Sequence, residues 1–145
     1  MAYDGTAYAG WARQPGRETV QGTVEAALAT VLRLTEPPAV TVAGRTDAGV
    51  HALGQVAHVD IPAGPGVERL ARRLNGALRP DVRVGSVRVA PAGFDARFSA
   101  LCRRYAYRIA DPASVPNPLR RWDTLAHPKP LEMGPMRTAA AALLG

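Results

Sequence analysis

The chain has 145 residues, 47% of them hydrophobic and 21% charged, with a net charge of +6. That is about one domain of ordinary globular composition, enough for one real core, and it excludes a disordered chain. The single cysteine, Cys102, excludes an internal disulfide framework and a cysteine-rich zinc module. No apolar run reaches the ~20 residues of a membrane span, and MAYDGTAYAG carries no signal-peptide pattern, so a soluble cytoplasmic protein is expected.

Ala2 to Asp4 reads as the end of a short strand that turns at Asp4-Gly5, and residues 5–18, rich in Gly, Pro and Arg, read as a loop. Thr19 is placed to cap a helix whose Val20, Val24, Ala27, Leu28, Val31 and Leu32 share one face, and Glu36-Pro37-Pro38 ends it. Val40 to Ala43 reads as a strand, Gly44 to Leu53 as a loop with two glycines, and Val56 to Ile61 as a half-buried strand. Pro62 to Gly66 reads as a turn. Val67, Leu70, Ala71, Leu74 and Leu78 then repeat at helical spacing, which leaves Arg69, Arg72 and Arg73 as a basic outer face; Pro80-Asp81 ends that helix. Val82 to Ala90 reads as a strand whose apolar phase slips near Gly85, as at a bulge. Alternation at Phe94, Ala96 and Phe98, and at Tyr105, Tyr107 and Ile109, predicts two more strands. Residues 111–130, with five prolines, read as loop, and Pro135 to Leu144 begins a helix. The order β-α-β-β-α-β is the α+β, ferredoxin-like (RRM-like) arrangement: an antiparallel sheet with both helices on one face. Such sheets often bind RNA.

The charge is uneven. Residues 67–110 hold ten arginines against Glu68, Asp81 and Asp95, while the rest of the chain is close to neutral. A basic block beside a neutral remainder suggests a surface for a polyanion. The plainer reading is surface filler, since Arg outnumbers Lys 17 to 1.

The segment richest in chemistry is Ala43-Gly44-Arg45-Thr46-Asp47-Ala48-Gly49-Val50-His51-Ala52, between two predicted strands. Its glycines allow positive φ or close approach to a ligand. Between them stand a cation, a hydroxyl and a carboxylate. An ionised Asp47 could act as a nucleophile or stabilise a cationic centre, and Arg45 could pair with it or reach a phosphate. On spacing alone, the simpler reading is a turn in which Asp47 bonds nearby backbone. Calcium is disfavoured, because no further acids follow at ligand spacing. Zinc is disfavoured too, because His51, His58 and His127 are scattered.

The run AGRTDAGVHA resembles the signature of the tRNA pseudouridine synthase A family. YDGTAYAGWARQ is similar to that family's opening motif, with Ala12 where Gln is usual. TVQGTVEAAL, GQVAHVD, LNGALRPDVRV, FDARFSALCRRYAYRI and MRTAAAALLG follow in the family's order. The resemblance implies that Asp47 is the catalytic nucleophile of an enzyme that isomerises uridine to pseudouridine in the anticodon stem-loop of tRNA, at tRNA positions 38 to 40. It implies that Arg45 helps hold both the flipped-out nucleotide and the aspartate, and that Tyr105 stacks on the target uracil. Tyr107 is read as a core strand aromatic, and His51 as capping the loop backbone rather than orienting it. No cofactor is expected, because the reaction is an isomerisation. The partners implied are tRNA and, at full length, a second copy in a homodimer. Residues 1–110 would be an N-terminal ferredoxin-like domain, and 111–145 a Pro-rich connection and the start of a second domain. The family's pattern runs past both ends of this chain, so a fragment is expected, with an unfinished site.

Two other classes compete on residues alone. A non-catalytic RNA-binding sheet would show aromatics in its central strands, and Val40 to Ala43 and Val56 to Ile61 have none. A glycosidase would need a second acid near Asp47, and Asp60 is the only close candidate.

Overall fold

The computed structural model describes residues 1–61 and 66–144. It forms two compact units, Met1–Arg103 and Arg104–Gly145. The fold is a small α+β one with short, mostly antiparallel ladders.

The first unit runs β1 (Ala2–Tyr3), α1 (Val20–Leu32), β2 (Val40–Val42), β3 (Ala57–Val59), α2 (Val67–Ala77) and β4 (Val82–Arg83). This is the expected order of helices and strands. β1 pairs antiparallel with β4, Tyr3 opposite Val82, and β2 pairs antiparallel with β3, Thr41 opposite His58. Tyr3 also bridges Ala52.

α1 forms where the apolar spacing predicts it, and its start is unusually well satisfied. Thr19 is extended and its hydroxyl accepts the Gly22 N–H at 3.3 Å. Such a cap is worth about 1 kcal/mol. The Val20 and Gln21 N–H groups donate to the carbonyls of Gly10 and Trp11, at 3.2 and 3.0 Å. The helix ends at Leu32, earlier than the Pro37-Pro38 pair suggested. Arg33 turns into the left-handed region (φ 57°), and the Leu34 N–H reaches back to the Ala29 carbonyl at 2.9 Å. The 6→1 closure is what stops the helix. α1 buries Val20, Val24, Ala27, Leu28 and Val31, together with Glu25. The Glu25 carboxylate accepts from the Val40 N–H at 2.9 Å, from Gln21 at 2.8 Å and from Arg13 at 3.3 Å, so the buried charge is fully partnered.

α2 packs on α1 and buries Leu70 and Leu74. Arg69 and Arg72 face outward as expected, but the exposed Arg73 bends to donate to the Val31 carbonyl in the last turn of α1. The core of the unit joins Tyr3, Tyr8 and Trp11 to both helices, to β2 and to Leu78, Val82 and Val84. Residues 62–65 of the predicted turn lie outside the described residues.

Two predicted strands are corrected here. The Val82–Ala90 strand stops at Arg83. Its partner β1 is only two residues long, and the next backbone groups are taken by a side chain: Asn75 donates to the Val84 carbonyl and accepts its N–H, at 2.9 and 2.8 Å. Residues 94–98 form no strand but a turn. The Asp95 carboxylate accepts the N–H groups of Arg97 (2.7 Å) and Phe98 (3.0 Å), and the Ser99 N–H closes on the Asp95 carbonyl. An aspartate that bonds the backbone ahead of it favours this turn over a ladder. The Phe98 N–H, with Arg97's, holds the Asp95 carboxyl below its ordinary range. His58 on β3 docks the turn, its Nδ1 accepting the Ala96 N–H at 2.9 Å.

In the second unit β5 (Ile109–Ala110) pairs in parallel with β6 (Leu125–Ala126) across a segment that holds one 3-10 turn, Pro118–Arg120. Asp123 ties Arg108 and Arg120 at 3.1 and 3.0 Å. α3 (Met133–Ala141) follows, close to the predicted position. Tyr105 and Tyr107 precede β5, and both are exposed, at 72% and 80%. The expectation of a strand through them, with Tyr107 in the core, is therefore corrected: among the described residues the ladder begins at Ile109, opposite Leu125. No helix among the described residues is long and apolar enough to cross a membrane.

Candidate active site

The Gly44–Ala52 segment leaves β2 and returns toward β3, and its backbone is fixed from both sides. On one side is the 8–11 segment. The Trp11 N–H donates to the Thr46 carbonyl at 2.9 Å, and the Gly49 N–H donates to the Tyr8 carbonyl at 3.2 Å. Beyond the tip, Tyr3 and Ala52 exchange both backbone hydrogen bonds, at 2.8 and 3.0 Å. Tyr8 and Trp11 are themselves buried, and the Tyr8 hydroxyl donates to Asp81 at 3.0 Å. Burial, with that bond, pushes the Tyr8 phenol above its ordinary pKa. The loop is thus attached through two backbone hydrogen bonds to a segment that also caps α1.

Close approach explains the glycines that face the loop. Gly10 has φ +95°, and a Cβ there would meet the Thr46 carbonyl oxygen at 2.8 Å and the Asp47 carbonyl carbon at 3.2 Å. A Cβ on Gly5 would fall 2.1 Å from the Val50 carbonyl oxygen.

At the tip, the Val50 N–H closes a turn on the Asp47 carbonyl at 3.2 Å. The turn reading of this segment therefore holds for its backbone. The Asp47 side chain is exposed, and no ion pair among the described residues engages it or the exposed Arg45. A carboxylate on a fixed backbone, with its oxygens open to solvent, can approach an incoming electrophile without first breaking a bond.

Beside it lies a side-chain network. Tyr3 Oη is 2.8 Å from Thr46 Oγ1, and Gln55 Nε2 donates both to Tyr3 Oη (3.1 Å) and to the Gly44 carbonyl (2.8 Å). Arg103 closes the other end, donating from Nε to the Ala43 carbonyl at 3.0 Å. His51 Nδ1 is 3.2 Å from the Gly5 N–H and 3.0 Å from Asp4 Oδ1. One nitrogen serves one of these at a time, accepting from Gly5 when bare and donating to Asp4 when protonated. Either way His51 ties the loop to the Asp4-Gly5 turn. Asp4 is held below its ordinary pKa chiefly by the Thr6 hydroxyl and N–H, with a smaller pull from His51.

Of the residues expected from sequence, Asp47 and Arg45 stand two apart in this loop, and Tyr105 stands exposed in the second unit. Asp60 is exposed just beyond the end of β3. Sequence periodicity missed Gly10, Trp11 and Gln55 as supports of the loop. The available signal was a buried-type Trp beside glycine in a stretch otherwise polar.

Comparison with known proteins places the chain in a family. A family model described as tRNA pseudouridine synthase matches residues 1–99. A tRNA pseudouridine synthase A of Frankia casuarinae is 60% identical over 147 residues, covering all of this chain and 53% of that protein. Proteins of the same name from Cutibacterium acnes and Streptomyces griseus are 52% and 53% identical, and the chain covers 52% of each. The chain spans about half the length of the curated relatives it matches. With its matched region containing the whole Asp47 loop and both segments that fix it, the chain belongs to the tRNA pseudouridine synthase family.

Proposed function

We propose that this chain is the Asp47-bearing part of an enzyme that isomerises uridine to pseudouridine in the anticodon stem-loop of tRNA. The observation that carries the reading is an exposed carboxylate, in no ion pair among the described residues, on a backbone fixed at Thr46 and Gly49. In the reaction the N–C bond between uracil and ribose breaks, the base turns, a C–C bond forms in its place, the ring carbon that forms it gives up its proton, and the freed ring nitrogen takes one up. Atoms and electrons balance within the nucleoside, so the step itself calls for no redox or metal partner. A carboxylate suits it, because breaking a glycosidic bond builds positive charge at the sugar carbon.

A uridine in a stem must be flipped out, at a cost of a few kcal/mol. Arg45, exposed and in no ion pair among the described residues, is assigned to the flipped nucleotide. Tyr105 is assigned to stacking on the uracil, worth about 1–3 kcal/mol. Its 72% exposure supports that role over a core one. The reading includes a ferredoxin-like half in which β1–β4 and β2–β3 are two pairs of one sheet, a second domain that begins after residue 110, and a cytoplasmic homodimer at full length. The test is pseudouridine formation in an unmodified tRNA transcript by the full-length protein. Wild type makes product; Asp47→Asn binds the transcript but makes none. Turnover by Asp47→Asn would refute the assignment.

A further inference from the structure

The side chains behind the Asp47 loop fix the direction of a chain of hydrogen bonds. The Gly44 carbonyl can only accept, so the Gln55 atom 2.8 Å from it is the amide nitrogen. The Val56 N–H, 3.2 Å from Gln55 Oε1, confirms that orientation of the amide. The second Gln55 proton then goes to Tyr3 Oη at 3.1 Å. Gln55 Nε2 is a donor, so among the described residues Thr46 Oγ1, 2.8 Å away, is the one acceptor within reach of the buried Tyr3 hydroxyl proton. Thr46 therefore accepts, and its own proton remains to be donated outward, next in sequence to Asp47.

The phenol that starts this relay is firmly held. Tyr3 is 4% exposed, its ring lies 5.9 Å from that of Trp11, its backbone exchanges both hydrogen bonds with Ala52, and it stands opposite Val82 of β4. Gln55 is equally placed, its N–H donating to the Met1 carbonyl at 2.8 Å. The relay thus runs from the core of the first unit to the residue before the carboxylate.

Resting on the reading of Asp47 above, we propose that Tyr3 and Gln55 are positioning residues for catalysis: through the Thr46 hydroxyl they set the rotamer and proton direction of Thr46 and so the presentation of Asp47. Binding of tRNA, which draws on the wider basic surface, does not depend on them. The buried phenol is then more than a core aromatic, and phenylalanine does not replace it.

The test uses the full-length enzyme, with single-turnover pseudouridine formation and tRNA affinity measured separately. Tyr3→Phe and Thr46→Val each lower the rate of the chemical step ten- to a hundredfold, the range expected for a reacting group displaced by a fraction of an ångström to 1 Å. Affinity stays within twofold, and Thr46→Ser restores the rate. Tyr3→Phe/Thr46→Val together are no slower than the worse single variant, because both cut one relay. A wild-type rate for Tyr3→Phe, multiplying losses in the double variant, or a loss confined to affinity overturns the proposal. A dead Asp47→Asn beside a fully active Tyr3→Phe removes the relay alone. An active Asp47→Asn removes the reading beneath it as well.

Discussion

Gly10→Ala is the sharpest perturbation of the loop support. The new Cβ would lie 2.8 Å from the Thr46 oxygen, 3.2 Å from the Asp47 carbonyl carbon and 3.3 Å from the Ala48 nitrogen. All three are backbone atoms, so no side chain can swing aside. The segment that carries residue 10 cannot retreat freely either, because the Gly10 and Trp11 carbonyls hold the first two N–H groups of α1. Relief to ordinary contact needs about 0.6 Å of movement, and most of it must come from the Asp47 loop. The φ of +95° adds a backbone penalty of about 1–3 kcal/mol for any residue with a Cβ. The expected outcome is a loss of about 1–3 kcal/mol in urea unfolding, with about a tenfold slower chemical step at unchanged tRNA affinity. Unfolding midpoints and single-turnover rates on the full-length protein measure both. Wild-type stability together with a wild-type rate would refute the view that residues 8–11 set the position of Asp47.

Arg33→Gly acts in the opposite direction. The left-handed Arg33 costs about 1–2 kcal/mol, and glycine's extra freedom when unfolded returns about 0.5–1, so a net gain of about 0.5–1 kcal/mol is expected; a lower urea midpoint would show that the Arg33 side chain contributes. Acid sensitivity follows from Asp4, Asp95, Asp111 and Asp123, whose carboxyls all sit below their ordinary pKa. A depressed folded-state pKa gives stability that is fully present above about pH 4 and lost as pH falls through the folded value. Melting temperature should therefore drop below about pH 4, less steeply in Asp95→Asn; a rise on acidification would contradict the sign.

Much of the first unit was legible because its helices carry a 3.6-residue apolar period. Val20, Val24 and Leu28, and again Leu70 and Leu74, are buried where that period puts them. The short strands β2 and β3 were legible for a different reason, a brief β-branched or alternating run flanked by turn formers. Alternation misled at Phe94-Ala96-Phe98, because an Asp at position 95 with Ser at 99 closes a turn whatever the hydrophobic phase. It misled again at Tyr105 and Tyr107, where a strand-like pattern has no ladder partner among the described residues. The functional loop could be located from Gly44 to Ala52 but its support could not. Residues 8–11 hold it through main-chain groups and a positive-φ glycine, which leave no periodic trace in side-chain identity.

The way α1 begins bears on how this chain would grip a nucleic acid. A helix N-terminus is an anion site only while its first N–H groups are unspent. Here Val20 and Gln21 have given theirs to Gly10 and Trp11, and Gly22 to the Thr19 hydroxyl. The positive end of the helix dipole is consumed in building the floor under Asp47. A phosphate gripped by this part of the molecule would therefore rely on cationic side chains rather than on the end of α1, with counterions released on binding. Grip would then be tuned by ionic strength, while the loop it serves, fastened by uncharged main-chain bonds, keeps its shape at any salt concentration.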